Sequence, residues 1–206
     1  MGGVAALARA AGFRVTGSDS AVYPPMSTQL RELGIEIHEG FDAAQLDPAP
    51  DCIVVGNVMT RGNEAVEAML DQGLPYTSGP RWLAENVLHD RHVFAVAGTH
   101  GKTTGASMLA WILQEAGHAP GFLIGGIPVN FGVSASFGDS KYFVVEADEY
   151  DRSFLWLSPE VACLTSMDAD HLDIYGSEES IQKGFEDFLA QISPGGFLVH
   201  KYGLHP

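Results

Sequence analysis

The stretch AGTHGKTTGAS contains glycine, lysine and threonine in an order that can bind phosphate. The usual phosphate-binding loop reads G-x-x-x-x-G-K-[ST], and its backbone N–H groups and lysine surround a polyphosphate. Here Gly101, Lys102 and Thr103 form the end of that pattern, but the partner glycine, Gly98, lies only three residues before Gly101. An apolar strand candidate precedes the loop and a helix candidate follows it, as the pattern requires. We therefore predict a phosphate site in which the Thr103 hydroxyl is available to a phosphate-bound Mg²⁺.

Two further polar side chains follow predicted strands. Glu146 ends the apolar run KYFVVEAD, and His171 follows the run VACLTSM. Ligands of open α/β sheets bind at the carboxyl ends of the strands, so both side chains are expected near the phosphate loop. For Glu146 the pattern favours a metal ligand over a solvated acidic turn, whereas for His171 a metal ligand and a surface imidazole both stay open. A hard metal beside a triphosphate makes phosphoryl transfer the natural chemistry.

The composition limits the class of protein. The chain has 206 residues, 46% of them apolar, which is enough for a packed core in one large domain or two small ones. Its formal charge of −15 argues against a nucleic-acid or anionic-membrane surface. No long apolar run and no signal peptide occur, so a soluble, cytoplasmic protein is expected. Cys52 and Cys163 lie in apolar strand-like runs without metal spacing and are predicted to be buried, reduced thiols.

The order of elements predicts an α/β fold. Short β-branched runs alternate with helical stretches, which is typical of βαβ units and of a mostly parallel sheet with helices on its faces. The strand candidates span residues 13–19, 35–40, 51–57, 74–79, 92–98, 121–126, 141–148, 161–167 and 196–201. The helix candidates span residues 2–11, 27–33, 63–72, 80–88, 102–116 and 178–192. A domain boundary is expected near residues 88–92. The chain opens directly in a helix and stops just after a strand, which predicts a fragment or a trimmed product.

The segments GTHGKTT, EADEYD and DHLDIYG occur in the order and spacing of the ATP-dependent Mur ligases of bacterial cell-wall synthesis, and the whole chain resembles that family. The family uses a shortened loop, G-[TK]-x-G-K-[ST], which matches the short spacing seen here. The resemblance implies a Rossmann-like UDP-sugar-binding domain over 1–90, with its first strand missing. It also implies the first part of a P-loop-type ATP-binding domain over 91–206. The rest of that domain and a third domain would be absent, so this segment alone is expected to be inactive.

The resemblance also implies residue roles. Lys102 would hold the β- and γ-phosphates of ATP, and Mg²⁺ would be bound by Thr103, Glu146 and His171. Lys102, Glu146 and His171 would be catalytic, because the muramyl lactyl carboxylate attacks the γ-phosphate and the amine displaces phosphate from the resulting acyl phosphate. The loop residues around the ATP phosphates would be Gly98, Thr99, His100, Gly101, Lys102, Thr103 and Thr104. The UDP-sugar would contact Ser18, Asp19, Asn57, Thr60 and Asn63, for which ordinary turn chemistry is the alternative.

Within the family the segments point to two branches. GSDSAVYPPMST, VVGNVMTRGN, YTSGPRWLAE and IGGIPVNFGVSA resemble the branch that joins UDP-N-acetylmuramate to the recycled tripeptide L-alanyl-γ-D-glutamyl-meso-diaminopimelate. From about Tyr150 onward the chain resembles the branch that adds L-alanine instead. The tripeptide is favoured as the amine substrate, and L-alanine stays open. The sequence gives no indication of the oligomeric state.

Three other classes of protein compete with this interpretation. A dinucleotide-dependent oxidoreductase would need an intact G-x-G-x-x-G, which the chain does not contain. A P-loop kinase or NTPase switch would keep Lys102, Thr103 and Glu146 but would not explain the segments that resemble a UDP-sugar domain. A non-catalytic nucleotide-binding remnant is consistent with the abrupt ends.

Overall fold

The computed structural model describes residues 1–168 and 178–204. They form two compact units, Met1–Leu83 and Ala84–Pro206. Both units are α/β, and the strands are mostly parallel, as the sequence predicts. The boundary suggested by the sequence, between residues 90 and 91, stays a prediction. No helix in the described ranges is long and apolar enough to cross a membrane.

The first unit contains two separate pairs of parallel strands, β1 with β2 and β3 with β4. In chain order its elements are α1 (Gly2–Ala10), β1 (Thr16–Asp19), α2 (Met26–Glu32), β2 (Glu36–Glu39), a 3-10 turn (Ala43–Leu46), β3 (Ile53–Val55), α3 (Glu64–Asp71), β4 (Tyr76–Ser78) and α4 (Gly79–Leu83). Its buried apolar residues come mainly from the helices: Val4, Leu7, Ala8, Met69, Trp82 and Leu83, with Ile35 from a loop. The strands add little to this core.

The second unit is built on one six-stranded sheet with the order β10-β9-β5-β8-β6-β7. After a π-helical turn (Ala84–Leu88) come β5 (His92–Ala97), α5 (Lys102–Glu115), β6 (Gly121–Leu123), β7 (Ala135–Ser136), β8 (Tyr142–Glu146), a 3-10 helix (Tyr150–Trp156), β9 (Val161–Leu164), α6 (Glu178–Leu189) and β10 (Phe197–His200). All neighbouring strands are parallel except β6 and β7, which are antiparallel.

The middle of this sheet is buried. Helix α5 packs Ala106 and Ala110, both fully buried, against a group of apolar residues from β5, β6 and β8. A second group of aromatic rings links the 3-10 helix to α6, where Phe154 stacks on Phe188 with ring centroids 5.0 Å apart. Phe154 also meets Phe185 edge to face at 5.7 Å. The 3-10 helix that follows β8 is therefore fixed to the core.

The positions of the predicted strands and helices are confirmed, although most elements are shorter than the runs that predict them. The two-residue strand β7 is too short to show an alternating pattern, and it was not predicted. The prediction that both cysteines are buried is wrong. Cys52, just before β3, is exposed, and Cys163 in β9 is half-buried, where burial raises the pKa of its thiol.

Candidate active site

The phosphate loop leaves the carboxyl end of the buried strand β5 and enters helix α5. Gly98 and Gly101 have φ angles of 133° and 83°, a region that favours glycine. A Cβ atom on Gly98 would overlap the Thr165 hydroxyl and would lie 2.8 Å from the backbone nitrogen of Ser166. The backbone after β9 therefore touches the loop at Gly98, and a larger residue cannot be accommodated there without a shift.

Residues just after β9 hold the loop in place. The Thr165 hydroxyl lies 3.0 Å from the Ala97 carbonyl oxygen and within hydrogen-bonding distance of the His100 carbonyl oxygen. The Ser166 hydroxyl accepts a hydrogen bond from the His100 N–H at 2.9 Å, and it lies 2.7 Å from the Thr99 hydroxyl. Sequence reasoning missed this support, because nothing in the run VACLTSM marks its last residues as partners of the loop.

The first turn of α5 provides donors for an anion. The first four N–H groups of an α-helix have no intrahelical partner, and the positive end of the helix dipole lies there. Gly101 is the N-cap, and no side chain of the described residues caps this helix. The N–H groups of Lys102, Thr103 and Thr104 are therefore available to phosphate oxygens. This arrangement fits a bound polyphosphate, as the loop sequence predicts.

Lys102 lies at the base of the loop between two acceptors. Its Nζ donates to the Gly98 carbonyl oxygen at 2.9 Å and to Glu149 Oε2 at 2.7 Å. Asp148 Oδ1 is farther away, at 3.9 Å. Glu149 is only 2% exposed, so this is a buried carboxylate paired with a largely buried ammonium. The sequence did not single out Glu149, because it stands in an acidic run that resembles a solvated turn.

Thr103 and Glu146 meet beside the loop. The Thr103 hydroxyl donates to Glu146 Oε1 at 2.9 Å, and Glu146 Oε2 accepts from the Gly125 N–H at 2.7 Å. A hydroxyl and a carboxylate oxygen at this distance suit Mg²⁺, which prefers oxygen ligands and completes its shell with water and phosphate oxygens. No group of three or more His, Cys, Asp and Glu side chains that could hold a metal occurs in the described ranges. His171, the third predicted ligand, lies outside the described residues.

The predicted UDP-sugar residues lie at the end of β1 and around the turn between β3 and α3. The Ser18 hydroxyl donates to Gln45 Oε1 at 2.7 Å, and Asp19 Oδ1 accepts from the Ala21 N–H at 3.1 Å. Asn63 Oδ1 accepts from the Val66 N–H at 3.2 Å and so caps helix α3. The bonds of Asp19 and Asn63 are the local bonds of ordinary turns, whereas Ser18 bonds to a residue 27 positions later. A ligand role for these residues stays a prediction.

Asn57 and Thr60 lie in the turn between β3 and α3. An ion pair shapes the end of this turn, because Arg61 donates to both carboxylate oxygens of Glu67 at 2.9 and 2.8 Å. The Gly62 N–H donates to the same carboxylate at 2.6 Å. The hydrogen bonds from Arg61 and then from Gly62 lower the pKa of Glu67 from 4.5 to about 2. Glu67 therefore fixes the backbone next to the candidate ligand Asn63, and no sequence pattern indicated this role.

Two family models match the chain. The model described as "Mur ligase family, catalytic domain" matches residues 1–91, and the model described as "Mur ligase middle domain" matches residues 96–203. The second model alone covers more than half of the chain.

Curated relatives carry two different names. Proteins named UDP-N-acetylmuramate–L-alanyl-γ-D-glutamyl-meso-2,6-diaminoheptandioate ligase are 54% identical in Escherichia coli and 50% identical in Haemophilus influenzae. These alignments cover 95% and 97% of this chain but only 44% and 46% of the relatives. The chain thus spans about half the length of these relatives. A UDP-N-acetylmuramate–L-alanine ligase from Clavibacter michiganensis is 45% identical over 94% of this chain and 40% of its own.

Solved structures that resemble this chain carry the same two kinds of ligase name. The tripeptide ligase from Neisseria meningitides, 51% identical, superposes with a TM-score of 0.93 over 99% of this chain and 68% of its own. A murein peptide ligase from Psychrobacter arcticus, 46% identical, gives 0.89 over 98% of this chain and 47% of its own. The UDP-N-acetylmuramate–alanine ligase from Thermotoga maritima, 25% identical, superposes with a TM-score of 0.86 over 98% of this chain and 46% of its own.

Proposed function

Because this chain belongs to the Mur ligase family, we propose that the full-length protein is an ATP-dependent, Mg²⁺-dependent ligase of peptidoglycan recycling. The reaction would join the carboxylate of UDP-N-acetylmuramate to the amine of L-alanyl-γ-D-glutamyl-meso-diaminopimelate, in the cytoplasm where ATP and UDP-sugars occur. The observation that carries the proposal is that the first two residues of α5 contact carboxylates at the end of β8: Thr103 donates to Glu146, and Lys102 pairs with Glu149 just beyond the strand. That edge is where open α/β sheets bind their ligands.

The residues of the loop would bind the phosphates of ATP. The N–H groups of the first turn of α5 and the Lys102 ammonium would offset the charge that develops on the transferred phosphoryl group. Thr103 and Glu146 would hold Mg²⁺, which neutralises charge on the phosphate oxygens when bound. Thr165 and Ser166 would keep the loop in shape, so that its donors need no rearrangement during the reaction.

Two steps complete the proposed chemistry. A lactyl carboxylate oxygen attacks the γ-phosphorus, and the bond to ADP breaks, which gives an acyl phosphate. The amine nitrogen then attacks the acyl carbon, loses a proton, and releases phosphate as the carbon–oxygen bond breaks. In both steps the role of Lys102 is to stay beside the phosphate oxygens, because positioning accounts for much of the catalysis of such reactions.

The choice of amine rests on the relatives. The tripeptide ligases reach 50–54% identity with this chain, whereas the L-alanine ligase from Clavibacter michiganensis reaches 45%. We therefore propose the tripeptide as the amine substrate. An L-alanine ligase is the second candidate, since the Thermotoga maritima enzyme of that name has nearly the same fold.

The test uses the full-length protein with Mg·ATP, UDP-N-acetylmuramate and one amine at a time. Phosphate release and product mass are measured with the tripeptide and with L-alanine at equal concentrations. We expect faster release and an amide product with the tripeptide. Faster release with L-alanine would reverse the choice of amine, and no release with either amine would refute the ligase assignment.

A further inference from the structure

The geometry points to a further functional residue: we propose that Glu149 is a positioning residue that aims the Lys102 ammonium at the phosphate of the nucleotide. The proposal rests on the proposed function, because it concerns the same site. Glu149 does not belong to the loop and is not one of the predicted metal ligands. It is separated from Lys102 by 47 residues, and their side chains still meet at 2.7 Å.

The two acceptors of Lys102 determine the direction of its third donor. An ammonium group carries three N–H donors. One donates to the Gly98 carbonyl oxygen and one to Glu149 Oε2. With two donors held by buried or backbone acceptors, the third is restricted to one direction and is available to a phosphate oxygen. Without Glu149, only the bond to Gly98 would orient the ammonium.

Glu149 itself is held rigidly on both sides. Just before it, the Ala147 N–H donates to the Val96 carbonyl oxygen of strand β5 at 2.9 Å. Just after it, the 3-10 helix returns, and the Phe154 N–H donates to the Asp148 carbonyl oxygen at 3.1 Å. Because Ala147 is fully buried and Phe154 is 1% exposed, the backbone of Glu149 is fixed to the core. A rigidly placed carboxylate can orient a flexible lysine, whereas a mobile one cannot.

Asp148 provides a comparison within the same segment. It carries the same charge and lies next to Glu149 in sequence, but its side chain is 57% exposed. Its carboxylate lies 3.9 Å from Lys102 Nζ, which is too long for a hydrogen bond. Removing either carboxylate changes the net charge near the loop equally. Only the loss of Glu149 removes a hydrogen bond to Lys102 that the structure shows.

The experiment compares Glu149→Gln, Glu149→Asp and Asp148→Asn in the full-length protein. For Glu149→Gln we expect kcat to fall by about 10-fold or more, since a small misplacement of a catalytic group has effects of this size. The KM for ATP should stay unchanged if the bond to Glu149 matters only in the transition state. It should fall if the loss of the Glu149 charge also removes repulsion of the ATP phosphates. Glu149→Asp should recover part of kcat, because it restores the charge on a shorter side chain. Asp148→Asn should stay within about twofold of the parent, as expected for an exposed charge.

A second measurement does not depend on turnover. The labelling of Lys102 by trinitrobenzenesulfonate, without nucleotide, is followed by mass spectrometry in the same variants. We expect labelling to rise several-fold in Glu149→Gln, because the ammonium is released from a site where its side chain is only 14% exposed. Asp148→Asn should label at the rate of the parent protein.

These measurements separate the two proposals. If Glu149→Gln keeps the kcat of the parent, or if only its KM for ATP rises, Glu149 does not position Lys102. If Glu149→Gln does not fold, Glu149→Asp decides: a lower kcat at unchanged KM supports the proposal, and an unchanged kcat overturns it. If the parent releases no phosphate, the proposed function fails, and the labelling of Lys102 then decides on Glu149 alone.

Discussion

In the first unit, no residue of strands β1 to β4 is buried, whereas in the second unit β5, β8 and β9 each bury at least two residues. The candidate sites of the two units follow this difference. The phosphate loop lies between the ends of buried strands and is held by bonds that join distant segments. The candidate UDP-sugar residues lie at the end of β1 and in the turn after β3, where Asp19 and Asn63 bond to near neighbours in sequence and Ser18 bonds to Gln45.

The comparison indicates how each site resists change. A loop fixed by a buried sheet presents its donors without rearrangement, which is what stabilisation of a transferred phosphoryl group requires. A turn fixed by exposed local bonds has a lower cost of local opening. Substitutions at the phosphate site should therefore reduce turnover strongly, and substitutions at the turns should change binding of the sugar weakly.

The largest effect is expected for Lys102→Ala. This change removes the only lysine of the loop, and we expect kcat of the full-length protein to fall by roughly 10²-fold or more, because a preorganised donor is lost. The control is Lys183→Ala, which removes an exposed lysine of α6 that pairs with Asp187. Phosphate release is the measurement. If the kcat of Lys102→Ala stays within a few-fold of that of the parent, the loop is not part of the catalytic site.

The next effect concerns the metal. Glu146→Gln keeps the size of the side chain but removes the charge that a hard cation requires. We expect the Mg²⁺ concentration for half-maximal activity to rise at least about tenfold, the size seen when groups around a metal are changed. Glu186→Gln, an exposed change on α6, is the control. If both variants respond to Mg²⁺ like the parent, Glu146 is a structural partner of Thr103 and Gly125 only.

A Thr→Val pair compares the two units directly. Thr165→Val removes the hydroxyl that contacts the loop carbonyls, and we expect a loss of about 1 kcal/mol of stability and a several-fold higher KM for ATP. The Thr77 hydroxyl of the first unit is buried, and the described residues offer it no hydrogen-bond partner. Thr77→Val should therefore leave stability unchanged or raise it. Thermal melting and ATP kinetics of both variants check this contrast, and equal losses would contradict it.

Local sequence was sufficient for much of the fold. Apolar runs marked the strands, and Gly34, Gly73 and Gly117 marked the ends of α2, α3 and α5, where the structure gives them φ angles of 73°, 63° and 81°. The loop could be predicted for the same reason, because its glycines, lysine and threonine are contiguous. The strand order β10-β9-β5-β8-β6-β7 depends on which distant segments pair, and the sequence did not provide it.

Two partners of the loop, Glu149 and Ser166, could not be predicted. Lys102 meets Glu149 across 47 residues, and His100 meets Ser166 across 66. Such contacts depend on β8 and β9 both neighbouring β5, which no local pattern encodes. The acidic run EADEYD shows why: Asp148 and Glu149 look alike in sequence, and only packing makes Glu149 the hydrogen-bond partner of Lys102.

The smallest effect is expected at the Arg61–Glu67 ion pair of the first unit. Glu67→Gln weakens the bonds from Arg61 and Gly62 that fix the turn, and Glu64→Gln, in the first turn of the same helix, is the control. Because the pair is exposed, we expect the KM for UDP-N-acetylmuramate to rise only about two- to fivefold in Glu67→Gln, with the KM for ATP unchanged.

The pH dependence of this pair has a definite sign. The folded-state pKa of Glu67 is lowered from 4.5 to about 2, so the stabilisation by this carboxylate is fully present above pH 4.5 and is lost as the pH falls toward 2. At neutral pH the Arg61–Glu67 pair is intact. The KM of the parent for UDP-N-acetylmuramate should therefore show no pH dependence near neutrality that is lost in Glu67→Gln. If Glu67→Gln raised the ATP KM as much as the sugar KM, the turn would not belong to a separate sugar site. The contrast between a rigid phosphate loop and a locally held turn would then fail.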